Sequence, residues 1–232
     1  MEEPRRHDLC LLRPGAAVSI DPALSCAHEA APWAMAALAK WLDAGRPLIV
    51  RRPVRAACGR ICLGLPLPPD SPGRGKCRLA FLAEDADPTR ITPPPALRDC
   101  LAATPQSWRN ALEALDRDLR GLGITARVFG ALAWESLTGL RYLTPESDVD
   151  IIIQRDEAAA PDRLTAALEA FAAHPGRPVL DVEIQLPDGG GFSFAEYVSG
   201  AAKILVKGPR HVSLYGRDAL LGRVLETNAC EG

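Results

Sequence analysis

Asp148 and Asp150 stand two residues apart at the mouth of an apolar, β-branched run, Ser147-Asp148-Val149-Asp150-Ile151-Ile152-Ile153. In an extended strand residues i and i+2 share a face, so both carboxylates point one way while Val149, Ile151 and Ile153 point the other. Two like charges held side by side repel unless a cation lies between them, which makes the pair a candidate divalent-metal site. An isolated Asp-x-Asp also occurs at solvated strand ends and turns, so the flanking segments must decide. Upstream, Arg127-Val128-Phe129-Gly130-Ala131-Leu132-Ala133-Trp134-Glu135-Ser136-Leu137-Thr138-Gly139 reads as a strand, a glycine turn and an amphipathic helix. Backbone N–H groups at such a helix start, here those around Gly130 and Ala131, can face phosphate oxygens, and Gly130 leaves room for their close approach. Downstream, Val179-Leu180-Asp181-Val182-Glu183-Ile184-Gln185-Leu186 alternates again and sets Asp181 and Glu183 on one face. Glu183 reaches further and is the preferred third ligand, with Asp181 the lesser contributor.

Such a set suits displacement at phosphorus. Mg²⁺ (or Mn²⁺) binds carboxylates together with substrate phosphates and waters. Two ions roughly 3.5–4 Å apart can hold the attacking and leaving oxygens together, with no nucleophilic side chain required. Cationic side chains would neutralise the remaining phosphate charge. Lys203 and Lys207, one at each end of Lys203-Ile204-Leu205-Val206-Lys207, are candidates, although lysines bordering a strand also protect its edge. Arg51, Arg52 and Lys76 are further substrate-binding candidates. They lie in a stretch from Arg46 to Arg78 that holds eight basic residues against one acid, Asp70, a positive face suited to an anionic ligand or an acidic partner.

The elements that must position these groups are legible from apolar spacing and turn residues. A helix is predicted over 32–44 from Trp33, Ala37, Leu38 and Trp41, then short strands at 48–52, 61–65 and 77–82. Pro66 to Gly75 is too rich in Pro and Gly for regular structure, and a second proline run from Pro88 to Pro95 marks a domain boundary, dividing the chain into 1–95 and 96–232. Beyond it Ser107 is expected to cap a long helix through Leu112, Leu115, Leu119 and Leu122 that ends at Gly121–Gly123. A further helix is predicted over 161–173. Asp188-Gly189-Gly190-Gly191 joins two strands and lacks a following Gly-Lys-Ser/Thr, so it reads as a hairpin turn rather than a phosphate loop.

Composition narrows the class. With 232 residues and 47% hydrophobic content the chain can bury a full core, and a formal charge of −2 argues against a general nucleic-acid binder. Seven cysteines without a Cys-x-x-Cys pair read as reduced, mostly buried thiols, and the scattered histidines do not complete a zinc site. No stretch resembles a secretory start or a membrane span, so a soluble, cytoplasmic protein with no membrane partner is expected.

Taken in order, the strand, glycine turn, helix, Asp-x-Asp strand and later acidic strand resemble the nucleotidyltransferase superfamily over about residues 125–186. The likeness narrows further through His7-Asp8-Leu9, Leu48-Ile49-Val50-Arg51-Arg52, Gly130-Ala131-Leu132-Ala133-Trp134-Glu135, Leu137-Thr138-Gly139-Leu140, Tyr142-Leu143, Ser147-Asp148-Val149-Asp150 and Leu205-Val206-Lys207. Together these resemble the phosphoribosyl-dephospho-CoA transferase family of malonate decarboxylase, also called holo-acyl-carrier-protein synthases. The chain departs from that pattern at Ala131, where a small hydroxyl residue often stands, and at Asp181-Val182-Glu183, where Asp-Gly-Glu is expected. The resemblance implies an α+β fold, with a C-terminal nucleotidyltransferase-like domain whose mixed sheet is flanked by helices and a smaller N-terminal α+β domain for substrate or carrier recognition. It implies 2′-(5″-triphosphoribosyl)-3′-dephospho-CoA as donor and a serine of the malonate decarboxylase acyl-carrier subunit as acceptor. Two alternatives stay open: a nucleotidyltransferase of other specificity, such as a small-molecule or protein adenylyltransferase, and a non-catalytic binding protein that keeps the fold. Retention of all the acids speaks against the second.

Overall fold

The computed structural model describes residues 4–21, 31–52, 59–69, 77–154, 161–208, 211–217 and 219–220. Two compact units form, one from Met1–Pro94 with Leu137–Tyr142, the other from Pro95–Ser136 with Leu143–Gly232. The fold is α+β with two six-stranded sheets.

In the first unit, strands β1 (Leu9–Leu12), β2 (Val18–Ile20), β3 (Leu48–Val50), β4 (Arg60–Pro66), β5 (Arg78–Glu84) and β6 (Pro88–Thr92) make an antiparallel sheet in the order β2-β5-β4-β3-β1-β6. Helix α1 (Ala31–Asp43) buries Ala34, Leu38 and Trp41, a spacing of four and three residues that makes one apolar stripe. The indole N–H of Trp41 donates to the Pro47 carbonyl (2.8 Å), closing the turn into β3. The proline run at 88–95 is in part a strand: Pro88 opens the edge strand β6, where a residue without an N–H costs least.

The second unit carries α2 (Leu97–Cys100), α3 (Gln106–Gly121), β7 (Arg127–Phe129), α4 (Gly130–Thr138, whose last two residues cluster with the first unit), β8 (Val149–Gln154), α5 (Pro161–Ala173), β9 (Leu180–Gln185), β10 (Gly191–Ser193), α6 (Phe194–Val198), β11 (Lys203–Lys207) and β12 (Val212–Gly216). Its sheet runs β12-β11-β10-β9-β8-β7 and is mixed: β8 and β9 are parallel, joined through α5, and the other neighbours are antiparallel. One face is the core. Val128, Val149, Ile151, Ile153, Val182, Ile184, Phe192, Ile204 and Val206 project there against Leu112, Leu115 and Leu119 of α3 and Leu164 and Phe171 of α5. Strand periodicity then sends Asp150, Asp181, Glu183, Lys203 and Lys207 to the opposite face.

Helix α3 begins differently from expectation. Pro105 occupies the N-cap with φ −53° and no side chain caps the helix, while Ser107 lies inside the first turn. A proline at the entry presets the backbone without a capping hydroxyl. At the other end Gly123 adopts φ +79°, and the Ile124 N–H donates back to the Leu119 carbonyl (3.0 Å), a helix stop that needs a left-handed residue. Among the described residues, Cys10, Cys62 and Cys100 are buried free thiols and Cys77 is partly exposed. Among them also, no helix is long and apolar enough to cross a membrane.

Candidate active site

Strand β7 ends at Phe129 and α4 begins at the next residue, Gly130, whose φ is +70°. Glycine is required there twice over. An L side chain rarely adopts that backbone. A Cβ would also overlap Asp150 Oδ2 and lie 2.9 Å from Asp150 Cγ. The carboxylate of Asp150 therefore rests on the bare Cα at the positive end of α4, where the first-turn N–H groups have no intrahelical acceptor. Ala131 follows in that turn, so this position offers an anion a backbone N–H and no hydroxyl.

The strand register fixes the other acids. Asp150 is paired with Phe129 on one side and with Asp181 on the other, so Asp150 and Asp181 are direct neighbours about 4.8 Å apart across the parallel ladder. Asp148 comes just before β8, exposed, two residues from Asp150 and on the same side of buried Val149. The Val149 N–H donates to the Val179 carbonyl (2.9 Å), which keeps this stretch extended alongside the approach to β9. The preceding loop is fastened at two points. Glu135 of α4 accepts the Leu143 N–H on Oε2 (2.8 Å), and Ser147 Oγ accepts the Thr144 N–H (2.9 Å) while the Ser147 N–H returns to the Thr144 carbonyl (3.0 Å). Neither tie is legible in the sequence, which signals them only by a glutamate on the helix and a serine beside the first aspartate.

Glu183 is placed differently from its expected role. It pairs with Ile152 rather than with an acid and is buried, and its carboxylate folds toward β10, where a Cβ on Gly191 would lie 2.5 Å from Oε1. Gly191 is opposite Gln185, so Glu183 leans away from Asp150. By register, Asp181 and not Glu183 is the direct neighbour of Asp150. Beyond them Gln154 donates to Gln185 (2.6 Å), ending the acidic stretch with a neutral pair.

The two lysines also separate. Gly191 pairs with both Gln185 and Lys207, so Lys207 is level with the glutamine pair and Lys203 is level with Asp181. Lys207 stands four residues, about 13 Å, along the strands from the Asp150–Asp181 row. In the first unit, Arg51 is committed internally. Its Nε donates to the Leu63 carbonyl (2.9 Å), an Nη pairs with buried Asp21 (2.8 Å), and its stem crosses Gly64, where a Cβ would meet Arg51 Cδ at 2.9 Å. Arg52 beside it is partly exposed, and Lys76 lies outside the described residues.

Among the described residues no three His, Cys, Asp or Glu side chains converge closely enough to hold an ion by themselves. The donor set still suits Mg²⁺, because that ion takes one or two carboxylates and completes its octahedron with substrate phosphates and water. Asp150 and Asp181 in register, with Asp148 beside them, are hard oxygen donors of that kind, next to a helix start that can receive phosphate.

Two family models match the chain: the phosphoribosyl-dephospho-CoA transferase MdcG N-terminal domain over residues 5–94 and the corresponding C-terminal domain over residues 96–218. A phosphoribosyl-dephospho-CoA transferase of Bradyrhizobium diazoefficiens is 35% identical over 216 residues, covering 92% of this chain and 91% of the relative. Relatives of the same name from Xanthomonas campestris and Pseudomonas aeruginosa are 35% identical over 190 residues (82% of this chain, 87% of the relative) and 31% identical over 208 residues (88% and 89%). No solved structure matches the chain significantly. With both parts of its length matched to the two domains of one family, and relatives aligned over nearly their whole extent, this chain belongs to the phosphoribosyl-dephospho-CoA transferase family.

Proposed function

We propose that this transferase moves the phosphoribosyl-dephospho-CoA group from 2′-(5″-triphosphoribosyl)-3′-dephospho-CoA to a serine of the acyl-carrier subunit of malonate decarboxylase. The serine oxygen bonds to the phosphorus attached to the ribose, the bond from that phosphorus to the next bridging oxygen breaks, and diphosphate and the hydroxyl proton leave. The observation that carries this reading is the Asp150–Asp181 pair beside the bare Cα of Gly130, in a chain matched to both domains of the family.

Asp150 with Asp148 or Asp181, completed by substrate phosphates and water, would hold Mg²⁺ or Mn²⁺, which when bound supplies charge neutralisation at the attacking and leaving oxygens. The first-turn N–H groups of α4 at Gly130 and Ala131 orient the leaving diphosphate, and Lys203, level with Asp181, neutralises part of its charge. Glu135 and Ser147 hold the loop that presents Asp148. Glu183, buried over Gly191, supports the strand beneath the acids.

The deciding experiment incubates the purified chain with Mg²⁺, the triphosphoribosyl donor and the carrier subunit, and follows carrier mass and diphosphate together. Expected is one prosthetic-group mass added to the carrier per diphosphate released, abolished by Asp148→Asn or Asp150→Asn with the fold intact. Transfer from ATP in preference to this donor would replace the reading by an adenylyltransferase. Near-normal turnover in either variant at saturating Mg²⁺ would overturn the acidic site.

A further inference from the structure

The acid-bearing face of the second unit's sheet does not end at the acids. Across β11 and β12 it carries Leu205, Val212 and Leu214, exposed at 37%, 44% and 61%. Leu205 pairs directly with Leu214, and Lys207 with Val212, so the three apolar side chains are contiguous. Their neighbours Ile204 and Val206 point into the core at 0% and 3% exposure, so the alternation of the strand places the patch on the outer face. Exposed Lys203 and Lys207 border it at either end of β11. β12 is the edge of the sheet, where chains usually place charge rather than leucine and valine. The nearby carboxylate Glu196 is held by the Leu205 N–H on Oε1 (3.2 Å), which leaves two ammonium groups against one carboxylate around the patch.

We propose that this patch docks an acidic amphipathic segment of the protein that supplies the acceptor hydroxyl. Apolar side chains between two ammonium groups call for a ligand with the reverse pattern, apolar residues flanked by carboxylates, and helix-on-surface recognition commonly has this form. The position fits delivery. Extending the Gly191–Lys207 pairing sets Leu205 level with Glu183, two strands from β9 and three from β8. Leu205 thus lies about 12 Å from the Asp181 backbone and about 16 Å from that of Asp150, with Leu214 one strand further out. A segment seated on Leu205 and Leu214 would stand beside the acidic row, from which an adjoining part of the same protein can extend its hydroxyl to the acids. The role of the patch rests on the protein-acceptor reading above.

The test uses the full chain and purified acyl-carrier subunit with its acceptor serine changed to alanine, so that binding is measured without turnover. Wild type should bind the carrier with an affinity that weakens as salt is raised. Leu205→Glu/Leu214→Glu should weaken binding at least tenfold and raise the KM for the unmodified carrier to match, with donor affinity and kcat at saturating carrier unchanged. Lys207→Glu should weaken binding and reduce its salt dependence. Unaltered carrier affinity in the double variant, while wild type transfers normally, would overturn the docking surface and leave the proposed function standing. Wild type that neither binds nor modifies the carrier would overturn both. A wild-type dimer split by the double variant, with carrier affinity intact, would make the patch a self-association face and refute the proposal.

Discussion

Replacing Gly130 by alanine tests the site at its tightest point, because one methyl group acts on both backbone and carboxylate. At φ +70° an L residue costs about 1–2 kcal/mol. The new Cβ would also sit 2.9 Å from Asp150 Cγ and closer still to Oδ2, against a comfortable carbon–carbon separation of about 3.5–4.0 Å. The carboxylate must swing away by about 1 Å, a displacement that costs on the order of 100-fold in rate when it misaligns a reacting group. Gly123→Ala supplies the control. Its φ is +79°, yet nothing lies within 4 Å of the added Cβ, so it carries the backbone cost without the collision. Urea unfolding should show Gly123→Ala destabilised by about 1–2 kcal/mol, roughly the left-handed penalty, and Gly130→Ala by at least as much. Transfer kinetics should show a kcat about 100-fold lower for Gly130→Ala and within about threefold of wild type for Gly123→Ala. Equal losses of activity in the two variants would refute the reasoning, as would a Gly130→Ala enzyme that turns over normally.

The pairing of Asp150 with Asp181 predicts that Asp181→Asn lowers kcat far more than Glu183→Gln under saturating Mg²⁺; the opposite order would return the third acid to Glu183. Arg51→Ala should cost about 3 kcal/mol in stability by taking the guanidinium from buried Asp21, and Arg51→Lys a smaller amount, with kinetic constants per folded molecule unchanged. A raised KM for the donor in a stably folded Arg51→Lys would instead show phosphate contact. Burial pushes the Cys10 and Cys100 thiols up from 9.0 to about 11, so between those values the unfolded chain sheds protons that the folded chain keeps. Stability in urea should therefore be full below about pH 9 and fall toward pH 11, less steeply in Cys100→Ala; a wild-type profile level across that window would remove the buried-thiol account.

Local features were legible where a single segment carries its own reason. The β7–α4 turn, the Asp148–Asp150 alternation, α5 and the β9–β10 hairpin follow from period and turn residues, and the structure has them at 127–138, 149–154, 161–173 and 180–193. What depends on partners distant in sequence was not legible. Arg51 reads as a free cation until Asp21, 30 residues earlier, is brought beside it. Glu183 reads as the better ligand by reach until the parallel register puts Ile152, and not an acid, opposite it. Strand β6 hides in a proline run because a sheet edge tolerates what an interior strand does not. Helix α6, only five residues long, has too little sequence for a period to show.

That short helix has a consequence for how the sheet comes apart. β10 pairs with β9 at three positions but with β11 at Gly191–Lys207 alone, since the chain turns into α6 after Ser193 and Glu196 satisfies the Leu205 N–H in place of a strand. Among the described residues the β11–β12 hairpin, with five paired positions of its own, shares one backbone rung with the rest of the sheet and is otherwise tied by the Glu196–Leu205 bond and the packing of Ile204, Val206 and Tyr215. Units with few cross-connections open below the global unfolding free energy. Amide protons of β11 and β12 should accordingly exchange with solvent together and ahead of those in β8 and β9, so that the lysine-bordered leaf can lift while the acidic row keeps its shape.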